Sequence, residues 1–174
     1  TTDDCIIVSG TLNITSTEVG IIGKDLCGIV AGDININAGS DGIKSTYDTD
    51  TTKGNVIIEG GNITIKASND GIQAENILVI NDGTINIKTN NGAADTTQTH
   101  TDNMDMDRGG FGFNNNKTTT TTDDTVESRK GIKAGNMLII NDGDITIDSD
   151  DDSVHCNSEI YIYGGTINLS LIHI

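Results

Sequence analysis

Gly61-Asn62-Ile63-Thr64-Ile65-Lys66-Ala67-Ser68-Asn69-Asp70-Gly71-Ile72-Gln73-Ala74-Glu75-Asn76-Ile77-Leu78-Val79-Ile80-Asn81-Asp82 is followed, at Gly83, by a second pass through the same pattern. It contains three short alternating runs, Ile63-Thr64-Ile65, Ile72-Gln73-Ala74 and Leu78-Val79-Ile80, each bounded by Gly, Asn or Asp. Such runs predict three strands joined by three tight turns, and no helix fits between them.

The first glycine of each unit recurs after 22 residues from Gly10 to Gly32, from Gly61 to Gly83 and from Gly143 to Gly165. Gly32 to Gly61 is 29, a surplus of 7, and Gly83 to Gly143 is 60, a surplus of 38. A second column keeps the period: Gly20 to Gly42 is 22, Gly71 to Gly92 is 21 and Gly131 to Ser153 is 22. Each unit is too small to bury an apolar face alone, so the chain reads as a solenoid. Strands at this period stack in parallel about 4.8 Å apart. The fold class is therefore all-β, a parallel β-helix, right-handed by the usual preference. Five full coils and a fragment of a sixth are expected in one domain over residues 1–174, truncated at both ends, with further coils or a cap beyond. Thr1 is no initiator, and the coil opened at Gly165 is not finished before Leu171-Ile172-His173-Ile174 leaves the repeat.

Two stretches interrupt the period. The smaller surplus falls within Thr46 to Lys53. The larger, residues 95–128, is Thr-, Asn- and Asp-rich and reads as a mobile low-complexity insertion, with Arg108-Gly109-Gly110-Phe111-Gly112-Phe113 as a patch that could dock on a neighbouring face. The coil that precedes it takes Asn90-Asn91-Gly92-Ala93 as its turn.

Strand alternation sorts the repeat into faces. One outward column, Asn13, Asn35, Thr64, Asn86, Thr146 and Asn168, is polar and uncharged. A second, Ile6, Gly28, Ile57, Val79, Ile139 and Tyr161, is apolar and calls for a cover. A third carries Ile22, Lys44, Gln73, Ala94, Lys133 and His155. Inward, Cys5 and Cys27 share a column with Val56 and Leu78 and read as reduced core thiols, and Cys156 takes a small inward site.

The 26 acidic and 10 basic side chains leave a formal charge of −16, which disfavours nucleic acid and anionic membrane as partners. No run of 18 apolar residues exists, so membrane insertion is not expected. At the start of the third strand the turns stack Asp41 on Asp70, then Asn91, Lys130 and Asp152, and a further acidic run holds Asp148, Asp150, Asp151 and Asp152. Carboxylates one strand spacing apart repel unless a cation lies between them, and hard oxygen donors favour Ca²⁺. The alternative is that these side chains only accept hydrogen bonds from turn amides.

The reiterated Asn-Asp-Gly-Ile-Gln-Ala, Asn-Asp-Gly-Thr-Ile-Asn-Ile and Asp-Gly-Ile-Lys segments, broken by one Gly/Phe-containing insertion, resemble the bacterial carbohydrate-binding β-helix proteins, from Gly10 to Leu169. The resemblance implies a right-handed parallel β-helix similar in shape to pectate lyases, bound calcium, acidic plant polysaccharide of the polygalacturonate (pectin) type as partner, and a secreted or cell-surface location. Asn91-Gly92-Ala93 and Lys130-Gly131 depart from it by losing the carboxylate. The candidate calcium ligands are Asp41, Asp70, Asp148, Asp150, Asp151 and Asp152; the candidate sugar contacts are Lys44, Lys133 and His155, with Tyr161 and Tyr163 as flat faces. A calcium-dependent, non-catalytic binder is the leading expectation. A lyase using Lys44, Lys133 or Arg129 as base, and a structural, adhesive or ice-binding repeat, are the alternatives.

Overall fold

The computed structural model describes residues 3–90 and 128–170. Its strands follow one another as β1 (Cys5–Ile7), β2 (Thr11–Ser16) and β3 (Ile21–Gly23), then β4 (Leu26–Ile29), β5 (Asp33–Ala38) and β6 (Ile43–Ser45). The next two coils are β7 (Asn55–Ile58), β8 (Asn62–Ala67) and β9 (Ile72–Ala74), then β10 (Ile77–Ile80), β11 (Thr84–Thr89) and β12 (Ile132–Ala134). The chain goes on through β13 (Met137–Ile140), β14 (Asp144–Asp148) and β15 (Val154–Cys156) to β16 (Glu159–Ile162) and β17 (Thr166–Ser170). Every third strand joins the same sheet: sheet A is β1-β4-β7-β10-β13-β16, sheet B is β2-β5-β8-β11-β14-β17 and sheet C is β3-β6-β9-β12-β15. All pairings are parallel and none slips in register. The described residues form a parallel β-helix of five full coils and part of a sixth, as the repeat implies.

Alternation drives the packing. Ile36, Ile65, Ile87 and Ile147 stack in register and are buried, with Ile14 beginning the column at the less covered first coil. Each fully buried isoleucine contributes about 1.5–3 kcal/mol relative to an exposed one. The turn from sheet A to sheet B depends on glycine at Gly61, whose φ of 110° is left-handed and where a Cβ would lie 2.8 Å from the Gly32 carbonyl oxygen. Cys5 and Cys27 pair in register as free thiols, and burial, helped by Cys5, pushes the Cys27 thiol up to about 12. Cys156 lies beside Ala134.

The outward columns also stand as expected on sheets A and B. Ile57, Val79 and Ile139 are half-buried and Ile6 is exposed. The segment expected to cover them lies outside the described residues, as does the Arg108–Phe113 patch. The smaller surplus fills the corner between β6 and β7, where Tyr47 packs under Lys24 and Lys53, 5.3 and 4.7 Å from its ring centre.

One level of the stack differs from the reading of the repeat. Gln73 pairs directly with Lys133, and the amide of Gly71 donates to the carbonyl of Lys130, so no strand containing Ala94 stands between them. The turn level assigned to Asn91 belongs to Lys130, and Asn90 lies level with Ser68, since both donate to the preceding coil at Ala67 and Ala38. The 38 surplus residues are therefore 91–128. Their flanks are close, because Asn90 Nδ2 and the Arg129 guanidinium both donate to one oxygen of Asp150, at 3.0 and 2.8 Å.

Removal of residues 91–128 joins Asn90 to Arg129 and restores a 22-residue coil, Thr89-Asn90-Arg129-Lys130-Gly131-Ile132 replacing the Ala67-to-Ile72 spacing. The shortened protein is expected to keep the parent's circular dichroism and to melt within a few degrees of it, since sheets A, B and C lose no strand. Aggregation or loss of the transition would show that the excised segment is part of the fold.

Candidate functional site

Sheet C places one outward residue per coil in register, Ile22, Lys44, Gln73, Lys133 and His155, and the turns leading into its strands bring carboxylates beneath the lysines. Lys44 Nζ donates to Asp41 Oδ2 at 2.7 Å, and Lys133 Nζ lies 3.3 Å from Asp70 Oδ2. The remaining oxygens are used by the backbone: Asp41 Oδ1 accepts the Asp70 amide at 3.1 Å and Asp70 Oδ1 accepts the Lys130 amide at 2.8 Å. Each aspartate thus ties its own coil to the next one. The side chains of Asp41 and Asp70 are only 5% and 2% exposed, against 25% and 28% for their lysines. An approaching molecule meets ammonium groups, with the carboxylates below them.

The two pairs border a depression of about 270 Å³ whose other walls include Ser40, Asn69, Gln73 and Ser128. Asn69 Nδ2 donates to Ser40 Oγ at 3.3 Å, Gln73 Nε2 to Glu75 Oε1 at 2.9 Å and Lys133 Nζ to Ser128 Oγ at 3.4 Å. The depression is a run of donors and acceptors along the helix axis, suited to hydroxyl and carboxylate groups of a chain-like ligand. A larger depression of about 550 Å³ follows the glycine corner between sheets A and B, but it is lined by backbone and by Asp33, Asp82, Asp142 and Asp144 without a lysine or arginine. Its charge opposes an acidic ligand.

The acidic run does not converge. Asp148 faces Lys88 on sheet B at 3.0 Å, Asp150 takes Arg129, and Asp151 takes Lys130. Asp152 is shared by Lys130 and His155 at 3.3 and 3.2 Å. Burial pushes the Asp151 carboxyl up, but hydrogen bonding and charge from Lys130 outweigh it and hold the group below its ordinary value; Lys130, against the same opposing burial, is raised by Asp151 and Asp152. Among the described residues no three His, Cys, Asp or Glu side chains gather as a metal site. The oxygens of Asp41 and Asp70 are already committed to amides and lysines, and those of the acidic run are divided among Lys88, Arg129, Lys130 and His155. The donor set does not fit a calcium ion as it stands.

The candidate sugar contacts separate into two faces. Lys44, Lys133 and His155 share sheet C, whereas Tyr161 lies within β16 on sheet A and Tyr163 just beyond its end, their rings 6.2 Å apart and within 5° of parallel. Lys130 was legible as a cation in a carboxylate column; that it neutralises Asp151 and Asp152 depends on turn geometry that the sequence does not specify. Ser128 carries no sequence signal.

Replacing Asp70 by Ala strands the Lys130 amide and unpairs Lys133, and is expected to lower stability by roughly 2–4 kcal/mol, whereas Asp70→Asn keeps an acceptor and costs about half as much. Denaturant titration checks the order. Equal losses would mean that the amide bond carries no weight.

A family model described as carbohydrate-binding domain-containing protein matches residues 1–171. No curated protein and no solved structure matches the chain. The match extends over nearly the whole length of this solenoid, and the chain belongs to the family of carbohydrate-binding domain-containing proteins.

Proposed function

We propose that the chain is a non-catalytic binder of acidic plant polysaccharide of the polygalacturonate type, held along sheet C by Lys44 and Lys133 directly. The observation that carries this reading is the vertical order of charge, with ammonium groups above carboxylates that are buried and fixed by backbone amides. A charge of −16 repels a uronate chain at long range, but over a Debye length of about 8 Å at physiological salt the groups facing the ligand decide. Uronate carboxylates then compete with Asp41 and Asp70 for lysine protons, and sugar hydroxyls engage Gln73, Asn69 and Ser40.

The same geometry supports binding without cleavage. A lyase needs a base with a free lone pair, whereas both lysines act as donors in ion pairs and an arginine cannot serve as that base. Calcium bridging, which the carboxylate count alone suggests, has no convergent donor set to support it among the described residues.

Affinity electrophoresis on polygalacturonate tests the reading. The parent is expected to be retarded equally with and without EDTA and to release no ultraviolet-absorbing unsaturated product. The Lys44→Gln/Lys133→Gln variant, checked by its melting curve, should bind roughly tenfold more weakly. Loss of binding in EDTA would return calcium to the mechanism, and full binding by the folded double variant would remove sheet C from it.

A further inference from the structure

The two lysines of sheet C start from coils that are not neighbours, since Gln73 stands between Lys44 and Lys133 in register, yet their ammonium groups end on neighbouring levels. The turns are the reason. In Asp41-Gly42-Ile43-Lys44 a carboxylate precedes the lysine by three residues, and Lys44 closes on it within its own coil. Lys130-Gly131-Ile132-Lys133 has a second cation in the aspartate's place, itself drawn to Asp151 and Asp152 of the following coil, so Lys133 reaches back to Asp70 of the preceding one. Asp41 and Asp70 are in turn joined across adjacent coils through the Asp70 amide. The ammonium groups above them therefore stand about one strand spacing apart, roughly 4.8 Å, and both border the same depression of about 270 Å³.

That gap suits one carboxylate. At charge-assisted lengths of about 2.7–2.9 Å, each of its oxygens meets one ammonium, with the carboxyl carbon centred above the pair. Both lysines have donors to give: an ammonium carries three, and among the described residues Lys44 donates to Asp41 while Lys133 faces Asp70 and Ser128. An incoming carboxylate thus shares each ammonium with the aspartate beneath it. The column adds no third free cation. Beyond Lys44 stands Ile22, 55% exposed, and beyond Lys133 stands His155, 3.2 Å from Asp152 and 3.0 Å from Asn157.

We infer that Lys44 and Lys133 grip a single carboxylate between them, so that the site recognises one uronate residue and does not require a run of them. This rests on the assignment of sheet C to glycan binding. Ser40, Asn69 and Gln73, on the remaining walls, are left for the hydroxyls of that sugar and its neighbour. The ligand class accordingly includes glycans whose uronates are isolated among neutral sugars, as well as polygalacturonate.

The test titrates ¹⁵N-labelled protein at fixed salt with methyl galacturonoside, which carries one carboxylate, with its methyl ester and with trigalacturonate, following the side-chain signals of both lysines. Methyl galacturonoside is expected to shift both lysines with one common Kd, to bind at least tenfold more tightly than its ester, and to come within about fivefold of trigalacturonate. Lys44→Gln and Lys133→Gln should each weaken it roughly threefold to tenfold, and the double variant by less than the product of the two, because one ligand group engages both. Shifts at one lysine alone, different Kd values at the two lysines, equal binding of the ester, or a larger gain on going to trigalacturonate would overturn the shared carboxylate while leaving sheet C as a binding face. Failure of every probe to bind, polygalacturonate included, would overturn it together with the function it rests on.

Discussion

Among the described residues, each coil takes its strand hydrogen bonds from its neighbours. The amides of each strand donate to the coil before or after it, from Val30 to Ile7 through Asn81 to Ile58 and Asn141 to Ile80, and this continues through the turns. A slip of one residue would turn every inward isoleucine outward, so the register is held by packing as well as by hydrogen bonds. Once register is fixed, each position of the repeat becomes a column along the axis. Chemistry on this fold is therefore a matter of which residue types follow one another every 22 positions.

The Asp41 and Asp70 column shows how structure and surface are coupled. Each carboxylate spends one oxygen on the amide of the next coil and the other on a lysine, so the group that joins two coils also sets where an ammonium is displayed. A buried carboxylate with neither partner would be costly. The negative charge of the whole chain and the two outward lysines of sheet C are compatible because Asp41 and Asp70 lie beneath them. Elsewhere the arrangement reverses, and the glycine corner displays Asp33, Asp82, Asp142 and Asp144 outward.

The fold was legible because the repeat states its own constraints: the glycine column, the inward Ile-x-Ile pairs and the polar Asn/Thr column all mark positions that register demands. The insertion was placed four residues too late because Asn90-Asn91-Gly92-Ala93 imitates the Asn-Asp-Gly-Ile turn, although the surplus of 38 residues already equals the length of 91–128. Strand alternation also put Lys44, Lys133 and His155 on one face. The same alternation sets Tyr161 in the column of Ile57, Val79 and Ile139, apart from the two lysines and the histidine; it is grouped with them as a sugar contact because an aromatic ring reads as a stacking face wherever it stands. The carboxylates were countable, but their partners were not: whether Asp151 holds an ion or Lys130 depends on a turn conformation, and local sequence does not determine which side chain crosses between coils.

The central claim is that ligand, register and charge meet on sheet C. Titration of ¹⁵N-labelled protein with short uronate oligomers, followed by amide and lysine side-chain chemical shifts, tests it most directly. The account predicts saturable shifts at Ile43–Ser45, Ile72–Ala74 and Ile132–Ala134 and at the Lys44 and Lys133 ammonium groups, with sheets A and B unmoved. Shifts centred instead on Tyr161 and Tyr163, or on the aspartates of the glycine corner, would contradict it.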